Sequence, residues 1–301
     1  MDMITKLDQM FDVLRARPSK HLVAACANDR HTVAAVEMAR SMGLVEATLV
    51  GDRDAIQKSC EEEKIDLSVF NIVDEKEDIQ AARTAVDLIN QGRGDLLMKG
   101  LVSSDKYMRA ILDKETGLMD PGAILTHVTV MEIPSYHKLL IVGDVAIIPL
   151  PGLKEKTAIL KELIKTAHRL GNENPKVAIL AATEQVLPKI PACVDAAILS
   201  KMASRGQIRG ATVEGPLALD VIVDRESARI KKVNSGVAGD ADCILFPNIE
   251  SGNAFYKFNT KLAGGELGAI VVGGRVPAVL SSRGDSARTK LYSIALAAMM
   301  A

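Results

Sequence analysis

The stretch HLVAACANDRHTVAAVEMARSMGLVEATLVG, residues 21–51, sets two short apolar runs either side of a segment with a different period. HLVAACA at 21–27 is short, continuous and apolar, the pattern of a buried strand. DRHTVAAVEMARSMG at 29–43 has helical spacing, with Val33, Val36, Met38 and Met42 on or near one face. Asp29 stands where an N-cap belongs, and Gly43 where a left-handed residue closes a helix. VEATLVG at 45–51 is a second strand. Strand, helix and strand at these lengths form a right-handed βαβ unit, whose parallel strands are covered on both faces.

The alternation continues outward. A helix over RDAIQKSCEEEKI leads to strand NIVD at 71–74, helix EDIQAARTAVDLINQG at 77–92 and strand DLLMKG at 95–100. From about residue 139 it resumes with LLIVGDVAII, helix KEKTAILKELIKTAHRLG and strand KVAILAA. Pro188 and Pro191 then mark a break before helix ACVDAAILSKMASRG. Strand-like ATVEGPLALD and DCILFPN follow, then helix GNAFYKFNTKLAGG, strands GAIVVGG and PAVLS, and a last helix SARTKLYSIALAAMM. The expected class is α/β, with parallel-rich sheets covered by helices. Pro134, in IPSYHK, interrupts the alternation, and the last helix lies beyond the second sheet's material. The expected domains are 1–135 plus 272–301, and 136–271.

The chain of 301 residues is long for one core and comfortable for two. Aromatic residues are only 3%, with no Trp, so the core is built from Ala, Val, Leu, Ile and Met. A base-stacking nucleic-acid binder needs aromatic platforms and is disfavoured. Lys+Arg number 37 and Asp+Glu 38, a net charge of −1, so no long-range field draws the chain to nucleic acid or acidic membrane. Any bound anion is held by a local pocket. No run approaches the ~18–20 apolar residues of a membrane span. The N-terminal twenty residues are amphipathic and carry acids, unlike a signal peptide. Cys26, Cys60, Cys193 and Cys243 are far apart, which signals neither a zinc cage nor a disulfide framework. A cytoplasmic location is the simplest expectation.

P-loop, His-Glu-x-x-His, G-x-S-x-G and clear G-x-G-x-x-G patterns are missing. Polar residues instead collect at three turns. VLSSRGDSARTK at 279–290 runs strand, turn, helix, with Ser282 and Arg283 in the turn and Asp285 and Ser286 as helix caps. A helix N-terminus beside a hydroxyl and a guanidinium is a phosphate receptor; the plain alternative is a capped helix with solvated charges. LLMKGLVSSDKYMRA at 96–110 repeats the arrangement with Lys99, Ser103 and Ser104. In open α/β sheets ligands bind beyond the carboxyl ends of strands; here the plain alternative is a serine cap and a snorkelling lysine. GDADCILFPNIESGNAFYK at 239–257 supplies Asp240, Asp242, Glu250, Asn253 and Lys257. Paired acids can hold a divalent cation, but at a strand start they more often serve turns, and no metal is assigned. His127, in AILTHVTV, is the one histidine inside an apolar run, where a core role competes with a functional one.

With MKGLVSS, LTHV, EGPLALD, SGVAGDADCILFPNIESGNAFYK and SSRGDSARTKLYSIALAA in that order, the chain resembles the phosphate acetyl/butyryltransferase family over roughly residues 20–300. Its length, starting directly at the transferase domain, is most like the butyryltransferase branch. The resemblance implies an isocitrate/isopropylmalate dehydrogenase-like fold with an interdomain cleft, a homo-oligomer, and the reaction acyl-CoA + phosphate ⇌ acyl phosphate + CoA. It implies no tightly bound cofactor, CoA and phosphate being substrates. It makes Ser282, Arg283 and Asp285 the catalytic candidates, and Lys99, Ser103, Ser104, His127 and Asn253 the substrate-binding ones. The acetyltransferase branch carries an aspartate seven residues after the serine matching Ser282; here that position is Thr289. Phosphate acetyltransferase is the near alternative. A metal-dependent dehydrogenase of the same fold, resting on Asp240 and Asp242, and a non-catalytic acyl-CoA-binding module are the others.

Overall fold

The computed structural model describes residues 2–280 and 285–301. In chain order come α1 (Gln9–Arg15), β1 (Lys20–Ala25), α2 (Arg30–Ser41), β2 (Val45–Gly51), α3 (Arg53–Glu63), β3 (Asn71–Asp74), α4 (Asp78–Asn90), β4 (Leu96–Lys99) and α5 (Ser104–Leu112). Then follow β5 (Thr126–Glu132), β6 (Leu140–Gly143), α6 (Leu153–Arg169), β7 (Lys176–Leu180), α7 (Pro191–Ser204), β8 (Thr212–Leu217), α8 (Leu219–Val223), α9 (Arg225–Ile230), β9 (Cys243–Leu245) and α10 (Ile249–Lys261). The chain ends with β10 (Glu266–Val272), β11 (Ala278–Val279) and α11 (Ala287–Met300). Two compact units result, one of residues 8–125 and 268–301, the other of residues 1–7 and 126–267.

The first unit holds strands in the order β3-β2-β1-β4-β11-β10. The pairs from β3 to β11 are parallel and β10 runs antiparallel to β11. The opening βαβ unit takes its caps from the expected residues. Asp29 accepts the His31 and Thr32 amides, and Gly43 is left-handed at φ +72°. The buried stripe of α2 is Thr32, Val33, Ala35, Val36 and Ala39, while Met38 is 39% exposed. α2 packs against α11 as well as the sheet. In α11 every residue from Lys290 to Met300 is buried, as befits a helix packed on α1, α2, β4 and β11. Its five large apolar side chains, Leu291, Ile294, Leu296, Met299 and Met300, each contribute ~1.5–3 kcal/mol of burial.

The second unit orders its strands β5-β6-β9-β7-β8. β6, β9, β7 and β8 are parallel, and β5 is antiparallel to β6, with Val128 opposite Gly143 and Met131 opposite Leu140. α6 covers β5, β6 and β9, and α7 covers β7 and β8. A part-buried pair, Lys156 Nζ to Asp195 Oδ2 at 2.6 Å, ties α6 to α7.

The units divide at 125/126 and 267/268, whereas the sequence reading placed 135/136 and 271/272. The physical reason is the β5–β6 pairing. It makes the segment around Pro134 a connection inside one sheet rather than a link between domains. Residues 1–7 join the second unit through the Leu7 amide on Glu132 Oε2 and the Ile4 amide on the Leu170 carbonyl. LLIVGDVAII is a strand only as far as Gly143. No helix among the described residues is long and apolar enough to cross a membrane.

Candidate active site

In the first unit the parallel strands end along one sheet edge, where α2, α3, α4, α5 and α11 begin. β4 and β11 are neighbours there, with Ala278 opposite Leu97 and Val279 opposite Met98. The turn after Lys99 therefore leaves from a strand end adjacent to that of β11. The wholly buried Tyr107 reaches from α5 to the Val279 carbonyl at 3.4 Å. Burial pushes its phenol well above the ordinary value, so it remains a neutral donor.

Lys99 does not snorkel. Its side chain is buried, and Nζ folds over the following turn to donate to the Gly100 carbonyl at 3.2 Å and the Val102 carbonyl at 3.0 Å. That turn lies against β1: a Cβ on Gly100 would sit 2.3 Å from the Cys26 carbonyl oxygen, so only glycine fits. Ser103 is the N-cap of α5, accepting the Lys106 amide at 3.3 Å, and Ser104 is the exposed first residue of the helix.

At the start of α11, Ser282 and Arg283 lie outside the described residues. Asp285 is described, and it is not the cap. Ser286 is, its Oγ accepting the Thr289 amide at 3.1 Å. Thr289, at the position where the acetyltransferase branch has an acid, is drawn into the same cap through its hydroxyl, 3.0 Å from Ser286 Oγ. The residue thus serves helix structure here.

In the second unit β6, β9, β7 and β8 likewise end on one edge, and antiparallel β5 begins there. His127 is buried in β5. Its amide donates to Asp144 Oδ2 at 3.0 Å and its Nδ1 lies 3.4 Å from Thr129 Oγ1. Asn253 is exposed in the second turn of α10, and its Nδ2 donates to the Val145 carbonyl at 3.1 Å. Both are pinned to the turn after β6. Asp144 organises that turn. Its Oδ2 accepts the Thr126 hydroxyl at 2.7 Å and the His127 amide, and its Oδ1 accepts the Ala146 and Ile147 amides at 2.7 and 2.8 Å. The sequence reading overlooked Asp144. Its signal was an acid directly after the apolar run LLIVG, where a buried carboxylate must find donors.

Asp240 and Asp242 are engaged by basic side chains of the protein itself. Lys176 Nζ lies 2.5 Å, His137 Nε2 2.8 Å and Lys138 Nζ 3.1 Å from Asp240, and Lys138 Nζ lies 2.7 Å from Asp242. Burial raises the Asp240 pKa, but hydrogen bonds from Lys176, His137 and Lys138 outweigh it and hold the carboxyl well below the usual carboxylate range. Among the described residues no cluster of three or more His, Cys, Asp or Glu is placed to hold a metal ion.

Residues 75–298 match the family described as phosphate acetyl/butaryl transferase. The chain is 43% identical over 299 residues to a phosphate butyryltransferase of Clostridium acetobutylicum, covering 99% of both chains. It is 39% identical over 295 residues to a phosphate acetyltransferase of Thermotoga maritima, covering 98% of this chain and 99% of that one. Among solved structures, a branched-chain phosphotransacylase from Enterococcus faecalis V583 superposes with a TM-score of 0.82 at 27% identity. That match covers 93% of this chain and 98% of the other.

Proposed function

The chain belongs to the phosphate acetyl/butyryltransferase family, and from that premise we propose that it exchanges a short acyl group, butyryl in preference to acetyl, between CoA and inorganic phosphate. The observation that carries the reading is the full-length likeness to a phosphate butyryltransferase. The isocitrate/isopropylmalate dehydrogenase-like fold and assembly into a homo-oligomer belong to the same proposal.

The reaction asks for three things. Phosphate must be held with its charge partly neutralised and one oxygen left to attack the thioester carbonyl. Arg283 supplies a bidentate fork for it, and first-turn N–H groups of α11 add dipole and donors. The oxyanion that develops at the carbonyl needs a donor, the role given to the Ser282 hydroxyl. The leaving thiolate must be tolerable, and a free thiol has a pKa of ~8.5. No covalent enzyme intermediate is required, so direct transfer in a ternary complex rests mainly on positioning. In the reverse direction CoA must lose its thiol proton. Asp285, next to the Ser286 cap of α11, is the base assigned to it. Lys99, Ser103 and Ser104, at the neighbouring strand end, and His127 and Asn253, on the second unit's edge, are assigned to substrate contact.

The test is CoA release from butyryl-CoA followed with a chromogenic thiol reagent. The protein's own thiols are a small background, since all four cysteines are buried and burial pushes Cys26 up to about 12. Release that requires added phosphate supports the reading; release at the same rate without phosphate overturns it. The acetyl alternative is favoured by the likeness to a phosphate acetyltransferase. Comparing kcat/KM for acetyl-, propionyl-, butyryl- and isobutyryl-CoA decides between them, because each methylene changes binding by only ~1 kcal/mol.

A further inference from the structure

The second unit carries a basic hollow on the sheet edge opposite His127 and Asn253. The end of α6 and the connection between α7 and β8 border an open depression of about 320 Å3 there, lined by Lys161, Ile164, Lys165, His168, Arg169 and Arg209. Four of those six side chains are Lys or Arg and none is acidic, on a chain whose net charge is −1. Lys161, Lys165 and Arg169 repeat at every fourth position, so like charges stack along one face of α6. Among the described residues Lys161, Arg169 and Arg209 make no ion pair, and Lys165 reaches only Glu162, at 3.8 Å. The helix C-terminus favours cations in its last turn, which accounts for His168 and Arg169. It does not account for Lys161, two turns earlier, or for Arg209 on the facing wall.

That wall is held in place. His168 Nε2 is 2.7 Å from the Gly210 carbonyl oxygen, and Arg209 Nε donates to the Gly206 carbonyl at 2.9 Å. Gly210 has φ +82°, and a Cβ there would come within 2.7 Å of His168 Cε1, so the close approach depends on glycine. Arg209 is thereby fixed through one nitrogen, with its terminal nitrogens left as donors to the hollow.

We propose that this hollow binds a short polyphosphate chain, either inorganic or the tail of a nucleoside triphosphate. Linked phosphates present enough anionic oxygens to engage the four Lys and Arg side chains together. The volume is at the small end for ligand sites. Ile164 is the one apolar side chain in the lining, no Phe, Tyr or Trp is present, and the one ring, that of His168, is tied at Nε2 to the Gly210 carbonyl, so the phosphates and not the nucleoside are recognised.

Calorimetry on the full chain at low ionic strength tests this with inorganic triphosphate, ATP, GTP and adenosine as separate probes. The expected result is binding of the three triphosphates within a few-fold of one another, no binding of adenosine, and steep weakening with added salt. The Lys161→Glu/Arg209→Glu double variant binds triphosphate at least tenfold more weakly, while its KM values for phosphate and acyl-CoA stay within twofold of wild type. Should that variant fail to fold, Lys161→Gln and Arg209→Gln singly are each expected to lose threefold or more. ATP binding without inorganic triphosphate binding would assign recognition to the nucleoside and overturn the proposal. So would absence of any binding, or triphosphate binding that the variants leave undiminished.

Discussion

Replacing Asp144 with asparagine removes one charge and converts one acceptor into a donor at the turn that anchors both His127 and Asn253. Four donors now converge on the carboxylate: the Thr126 hydroxyl and His127 amide on one oxygen, the Ala146 and Ile147 amides on the other. The amide's single oxygen is best kept for Ala146 and Ile147. The new NH2 then faces Thr126, whose hydroxyl can turn to accept, and the His127 N–H, which cannot. One buried N–H is orphaned at ~1–3 kcal/mol, and the three remaining bonds lose their ionic character at ~1 kcal/mol each. Relief from burying an ion offsets part of this, leaving a net loss of about 3 kcal/mol. In a unit of about 150 residues each kcal/mol moves the midpoint by ~2–4 °C, so the expected fall is roughly 6–12 °C. Differential scanning calorimetry reads the midpoint, and kcat/KM at 25 °C reads the site, where we expect at least a tenfold loss. A midpoint within ~2 °C of wild type would refute the view of Asp144 as the anchor of this turn.

Arg283→Gln is expected to raise the KM for phosphate and to lower kcat by ~10²–10³, the usual result of losing a donor aimed at developing charge; initial rates across phosphate concentrations show it. Asp285→Asn is expected to slow the CoA-acylating direction by ~10²–10⁴ with little change in melting temperature, because Ser286 and not Asp285 caps α11. Asp240 gives a pH signature. Its folded-state pKa is depressed, so its contribution is present above the unfolded pKa of ~4 and is lost as pH falls below that toward the folded value. Melting temperatures taken from pH 5 to pH 3 fall for wild type, and Asp240→Asn flattens that fall.

The local architecture was legible where period and punctuation agree. The alternation of strand and helix, the Asp29 cap, the Gly43 terminus and the inward packing of the last helix all follow from residues near one another in sequence. Strand direction was not. β5 is apolar whichever way it runs, so its antiparallel pairing with β6, and with it the position of the division near 125, left no trace in the pattern. Met38 has the spacing of a core residue, yet it lies outside the buried stripe of α2. At the candidate site the turns were visible but the roles within them were not. Ser286 and Asp285 are both good capping residues, and only the backbone settles that Ser286 caps α11. Lys99 reads as a surface lysine until its carbonyl partners are seen. Asp144 carries no signal in its local pattern beyond following an apolar run, and its role shows only in the four donors around it.

The central claim is that a phosphate oxygen attacks the acyl carbon of a CoA thioester held by this chain. Incubating the protein with butyryl-CoA and fully ¹⁸O-labelled phosphate, then weighing the product by mass spectrometry, tests it most directly. The expected product is butyryl phosphate retaining every labelled oxygen, the bridging one included. Butyrate bearing oxygen from water, with no acyl phosphate formed, would contradict it.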